Sequence, residues 1–190
     1  MINSLYILIK DFYEFKENNE TNVKLIEEVI IEEKNEEKSV VDWQKLENIN
    51  KDIIGWIKIE NTNIDYPILK DDDSLKYLKC SYDGKYNKNG SIFTLNNNPF
   101  QDNVTIIYGH NMKSGIMFSE LSKYMKKDFY YKHKYFTIYT KDHTYQATIF
   151  SCYSIGIDEE EKKTKEKKGG EVNGKKVSRT RGRKSIKSIE

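Results

Sequence analysis

Apolar residues first recur at helical spacing. Over residues 21–38, Val23, Ile26 and Ile30 fall at i, i+3 and i+7, widened by Leu25 and Val29. That period predicts an amphipathic helix, with Thr21 or Asn22 able to cap it. A second short helix is expected at 42–49, capped by Asp42, with Trp43, Leu46 and Ile49 turned inward. The pattern then becomes strand-like. Residues 53–59 (IIGWIKI) and 64–69 (IDYPIL) flank an Asn61-Thr62-Asn63 turn signal. Pro67 cannot donate a ladder hydrogen bond, so its strand is expected at an edge or to begin there. Residues 71–79 open on three aspartates that suit the start of one or two helical turns. The Asp-Gly and Asn-Gly pairs in 81–90 mark turns. A short strand follows at 91–95 and a loop at 96–103.

Residues 104–109 (VTIIYG) read as the clearest buried strand, uncharged and rich in β-branched side chains. A helix is expected at 116–127, with Met117, Leu121 and Tyr124 on one face. Residues 135–140, the Lys141-Asp142 turn and a long second strand at 144–155 read as a β-hairpin. Six or more short strands with a few small helices predict a mainly β fold: a closed or half-closed sheet with flanking α-helices.

Composition adds a boundary. Residues 158–190 hold 12 Lys+Arg against 7 Asp+Glu, a net of +5, whereas residues 1–157 hold 20 against 23, a net of −3. All 24 aromatic residues lie before residue 154, and all three arginines (Arg179, Arg181, Arg183) lie after residue 158. A stretch so poor in apolar surface cannot offset its ordering entropy. The chain therefore divides into an N-terminal helical segment at 1–40, a β domain at 41–157 and a Lys/Glu/Arg-rich tail at 158–190 expected to be disordered. The overall net charge of +2 gives no case for nucleic acid. Two cysteines make no disulfide framework. The three histidines lack zinc-site partners, so no metal or other cofactor is expected. Leu5 to Ile9 is too short an apolar run to span a bilayer, and no signal-peptide pattern is present; an anchor lost upstream would leave the same appearance.

The candidate chemistry centres on His110. An imidazole after a buried strand, beside a glycine that permits a tight turn, suits acid–base work; a surface-loop histidine is the plainer reading. His133 and His143 sit in charged or turn contexts and are expected to be solvated. Cys152 lies in the alternating run Phe150-Ser151-Cys152-Tyr153. It reads as a packed thiol, and as a nucleophile only in default of another. Cys80, before the Asp83-Gly84 turn, is weaker still. Trp43 and Trp56 read as core anchors.

Three separated segments carry a resemblance: INKDIIGWIKIENTNIDYPIL, YLKCSYDGKYNKNGSIFTL and NVTIIYGHNMKSGIMFSELSKY. In order and spacing they resemble class B sortases over roughly residues 41–155. The resemblance implies an irregular closed β-barrel with helices ahead of it. It also implies a membrane-anchored cysteine transpeptidase on the outer face of Gram-positive cells. Such enzymes cleave an NPxT-type sorting signal of surface proteins and pass the acyl chain to a peptidoglycan amine. A thiolate attacks the scissile carbonyl, a histidine shuttles the proton, and an arginine or backbone N–H steadies the oxyanion.

The family histidine matches His110. The family's "TLSTC"-like nucleophile motif and following arginine have no match in these residues. The expectation is a sortase domain whose C-terminal strands are missing, through truncation or a frame shift near residues 158–170. A different class of reading stays open: an inactive remnant, or a non-catalytic peptide-binding β-domain.

Overall fold

The computed structural model describes residues 12, 13, 16, 20–32, 39–112 and 114–154. The apolar run at 5–9 and the basic tail at 158–190 lie outside them.

Residues 20–29 form helix α1. It ends earlier than its apolar spacing predicts. The β-branched run that begins at Val29 leaves the helix, and Ile30–Glu32 (β1) pairs antiparallel with Ser39–Val41 (β2), Ile30 opposite Val41. The Asp42 N–H donates to the Val29 carbonyl at 2.7 Å and closes that unit. The buried stripe of α1 is Leu25 and Val29, while Val23 stands 42% exposed. The helical period was real, but its centre lies off the predicted face.

Helix α2 (Trp43–Ile49) forms as expected, with the Asp42 carboxylate accepting the Lys45 N–H at 3.0 Å and Leu46 fully buried.

The main sheet has six strands: β3 (Ile53–Lys58), β4 (Asp65–Lys70), β5 (Ile92–Thr94), β6 (Ile107–Tyr108), β7 (Tyr135–Tyr139) and β8 (Thr144–Thr148). Their order is β6-β5-β4-β3-β7-β8, antiparallel except for the β4–β5 pair. The sheet is curled, and the fold is mainly β, as the strand spacing predicts.

Both faces of the central strands are buried. Ile57, Tyr66, Ile68 and Ile92 join one cluster with Ile116, Met117 and Phe118; Trp56, Leu69 and Phe93 join the other with Leu25, Val29 and Leu46. Alternation along β4 and β5 sends successive side chains into different clusters. A nearly continuous apolar run is thus what such a strand requires.

Four strand and helix expectations need correction. Pro67 sits in an interior strand, opposite Trp56. The parallel partner β5 joins only at Ile68, so Pro67 lies just outside that ladder. The run 104–109 is not a buried strand: only Ile107 and Tyr108 pair, both half-buried, and Val104 and Ile106 are 60% and 41% exposed. It is an end of the sheet among the described residues, and β-branched composition reports extended backbone, not burial.

Residues 119–125 form a 3-10 helix, not an α-helix, followed by helix α3 (Lys127–Lys132). Finally, β8 stops at Thr148, so Cys152 lies beyond the strand that was to hold it.

Candidate functional site

β6 delivers His110 at its C-terminal end, and the turn after it is tightly fixed. Gly109 has no space for a side chain: a Cβ there would stand 2.5 Å from Ile92 Cδ1 and 2.6 Å from Phe118 Cδ2. The chain folds back so that Phe118 N–H donates to the His110 carbonyl at 2.9 Å, and Asn111 bridges Met117. Ile116, Met117 and Phe118 then plug the core, and Met117 N–H donates to the Tyr66 hydroxyl at 3.2 Å. The half-buried histidine is thus held at both ends of its loop by backbone bonds.

Its ring is held as well. His110 Nε2 lies 2.9 Å from the Leu78 carbonyl oxygen. Leu78 closes the 3-10 turn Lys76–Leu78. Asp71, 2% exposed, builds that turn, since its carboxylate accepts the Ser74 hydroxyl at 2.8 Å and the Tyr77 N–H at 3.2 Å. The Tyr77 hydroxyl donates to Asp52 at 2.7 Å and accepts from Asn50 Nδ2 at 2.8 Å. Lys76 Nζ donates to the same Asp52 oxygen at 2.8 Å. That bond holds the Asp52 carboxyl below its ordinary value, against the opposing pull of burial.

Sequence reasoning passed over this support. The Asp71-Asp72-Asp73 run reads in the sequence as the acidic start of a helical turn, whereas Asp71 is a buried acceptor for the turn. No cluster of three metal-ligating side chains occurs among the described residues.

A cleft of about 40 Å³ opens beside this loop, lined by Tyr66, Pro67, Tyr82, Gly90, Met117 and, from α1, Thr21 and Asn22. It shares Met117 with the loop that follows His110, but His110 does not line it.

The other candidates lie apart from this arrangement. Cys80 is half-buried, bridges Tyr86 through its backbone, and packs on the α1/α2 side of the sheet. Cys152 packs against the opposite cluster and donates its Sγ proton to the Leu121 carbonyl at 3.3 Å. Burial pushes its thiol up, away from the thiolate form. Neither sulfur is hydrogen-bonded to His110. The three arginines lie outside the described residues. His133 is not simply solvated: its Nδ1 stands 2.9 Å from the Glu60 carbonyl, and its ring leans on Phe129 at 4.3 Å. His143 is exposed.

Comparison with known proteins places this geometry. The family model for the sortase domain matches residues 57–175. Sortase B of Listeria monocytogenes is 44% identical over 97 residues, covering 50% of this chain and 39% of that protein. Sortase B of Staphylococcus aureus is 33% identical over 151 residues, covering 78% of this chain and 62% of its own length. The chain therefore spans less than two thirds of either relative.

Among solved structures, sortase B from B. anthracis in complex with AAEK1 superimposes with a TM-score of 0.65 at 29% identity, covering 88% of this chain and 87% of that one. The S. aureus sortase B–substrate complex gives 0.58 at 36% identity, over 62% and 55%. A family model covering most of the chain, and a six-stranded sheet that overlays on these structures with a histidine at the mouth of β6, lead to one conclusion: the chain belongs to the sortase family, as a class B sortase.

Proposed function

We propose that this domain binds an NPxT-type sorting signal of surface proteins beside His110 and takes part in their transfer to a peptidoglycan amine on the outer face of a Gram-positive cell. His110 is the general acid/base of that reaction. A thiolate attacks the scissile carbonyl, His110 gives its proton to the departing amine, and a thioacyl intermediate remains. The incoming amine then loses a proton to the same imidazole as it displaces the thiol. The observation that carries this reading is the fixed presentation of His110 within YGHNM, locked by Phe118 and Leu78. The solved S. aureus relative in complex with substrate supports a peptide as the ligand.

A second reading is a peptide-binding domain without turnover. It is favoured by the two thiols, one packed against each face of the sheet, with Cys152 bonded to Leu121. Cleavage of a fluorogenic NPxT-type peptide, with a short glycine peptide as acceptor, separates the two. On the first reading His110→Ala lowers turnover by about 10²–10⁴-fold, the range for a lost acid/base group, and turnover is abolished by Cys152→Ala or by Cys80→Ala, because these are the two thiols in the sequence that could form the thioacyl intermediate. A folded sample that binds the peptide without cleaving it supports the second reading.

A further inference from the structure

The histidine's two ring nitrogens are unequal, and the difference has a structural cause. Nε2 faces the Leu78 carbonyl oxygen at 2.9 Å. A carbonyl only accepts, so Nε2 must carry a proton. Nδ1 has no hydrogen-bond partner among the described residues.

The carbonyl is itself held firmly. Gly90 adopts a positive φ of 61°, and a Cβ there would stand 2.5 Å from the Tyr77 carbonyl oxygen and 2.7 Å from that of Leu78. Only glycine lets this segment lie against the 3-10 turn. Ser91 N–H completes the contact by donating to the Tyr77 carbonyl at 2.8 Å. On the other side Asp71 fixes the turn through the Tyr77 N–H.

We propose that Gly90 and Asp71 are positioning residues for His110. Through the Leu78 carbonyl they keep the Nε2 proton in place, so that the proton exchanged with substrate enters and leaves at Nδ1. The proposal rests on the reading of His110 as the acid/base group. In the neutral imidazole Nδ1 is the lone-pair nitrogen; when it takes the proton of the incoming amine, the ring becomes a cation with both nitrogens protonated. Passing the Nδ1 proton to a departing amine restores the neutral, Nε2-protonated tautomer. Nε2 keeps its proton throughout, and the ring need not flip between steps.

His133 supplies an internal contrast in the same molecule. Its Nδ1, not its Nε2, faces a carbonyl, that of Glu60, at 2.9 Å. The two histidines should therefore hold opposite tautomers.

The test is long-range proton–nitrogen correlation NMR on the full chain with ¹⁵N-labelled histidine, above the pH at which the rings are neutral. The expected result is one tautomer at His110, protonated on Nε2 with a bare Nδ1, and the reverse at His133. In Gly90→Ala, and more mildly in Asp71→Asn, the His110 signals should move toward a mixture of tautomers while His133 keeps its own. A merely structural role for Gly90 would lower stability without changing the tautomer in the fraction that stays folded.

An Nδ1-protonated His110 in the unsubstituted protein overturns the proposal. So does an unchanged tautomer in folded samples of both variants. Because the readout needs no turnover, a failed peptide-cleavage assay with an intact Nε2–H tautomer would sink the transpeptidase reading and leave this geometry standing.

Discussion

At the scale of single residues, the sequence exposed His110 but not what holds it. YGHNM is visible as a motif because a glycine and a histidine follow a β-branched run. The Leu78 carbonyl is backbone, so no residue type announces it. Asp71 was hidden among three aspartates, and only burial separates it from its neighbours. Gly90 left a weak trace as Asn-Gly, read as a turn and not as a close approach. Gly109 has a measurable role. Its absent side chain leaves room for the Ile92 Cδ1 methyl and for the buried Phe118 ring, whose Cδ2 and Cγ would stand 2.6 and 2.9 Å from an added Cβ. Gly109→Ala should therefore cost about 1–3 kcal/mol of stability by overpacking, read as a lower denaturation midpoint at unchanged slope. A neutral effect would mean that the loop after His110 yields freely and that its fixed geometry is overstated.

At the scale of elements, strands were read better than helices. Alternation and turn signals located β3, β4, β5, β7 and the start of β8, because a pleated strand shows its two faces within a few residues. The segment 116–127 misled because Met117, Leu121 and Tyr124 fit a helical face, yet their burial is imposed by plugging the core. Met117 even sits at a positive φ of 55°.

The 3-10 helix at 119–125 is tied to the β3–β4 turn by Glu120. That buried carboxylate accepts the Asn63 N–H at 2.6 Å and pairs with Lys123. Burial works against the charge, but the Lys123 ammonium and the Asn63 N–H outweigh it, so the carboxyl lies below its ordinary value of 4.5. A lowered folded value means that the charged form is favoured by folding. Its stabilisation is present above that ordinary value and is lost as pH falls through the folded one. Glu120→Gln should cost about 1–3 kcal/mol near neutrality, the usual cost of losing a charged acceptor. The gap from the unsubstituted protein should narrow as acid is added. A gap that widened in acid would refute the assignment.

At the scale of the whole molecule, the family and the mainly β architecture were legible because three separated segments keep their order. The failure at 104–109 is also a matter of scale: whether a β-branched strand is buried depends on which strand lies beside it, and a local window cannot report that. Here Val104 and Ile106 stand exposed at the β6 end of the sheet, a pairing template for another chain. Ile106→Lys should raise the monomeric fraction in light scattering after size exclusion. A protein already monomeric at high concentration would show that this edge is harmless. Among the described residues no helix is long and apolar enough to cross a membrane.

Transpeptidation at this domain requires a sorting-signal peptide to lie beside His110. The most direct measurement is a titration of the ¹⁵N-labelled chain with an NPxT-type peptide and, in parallel, with a scrambled one. Saturable shifts are expected at the His110 ring, at Leu78 and at Met117 with the first peptide alone. Shifts absent from these residues at saturation, or equal for both peptides, would contradict that placement of the peptide.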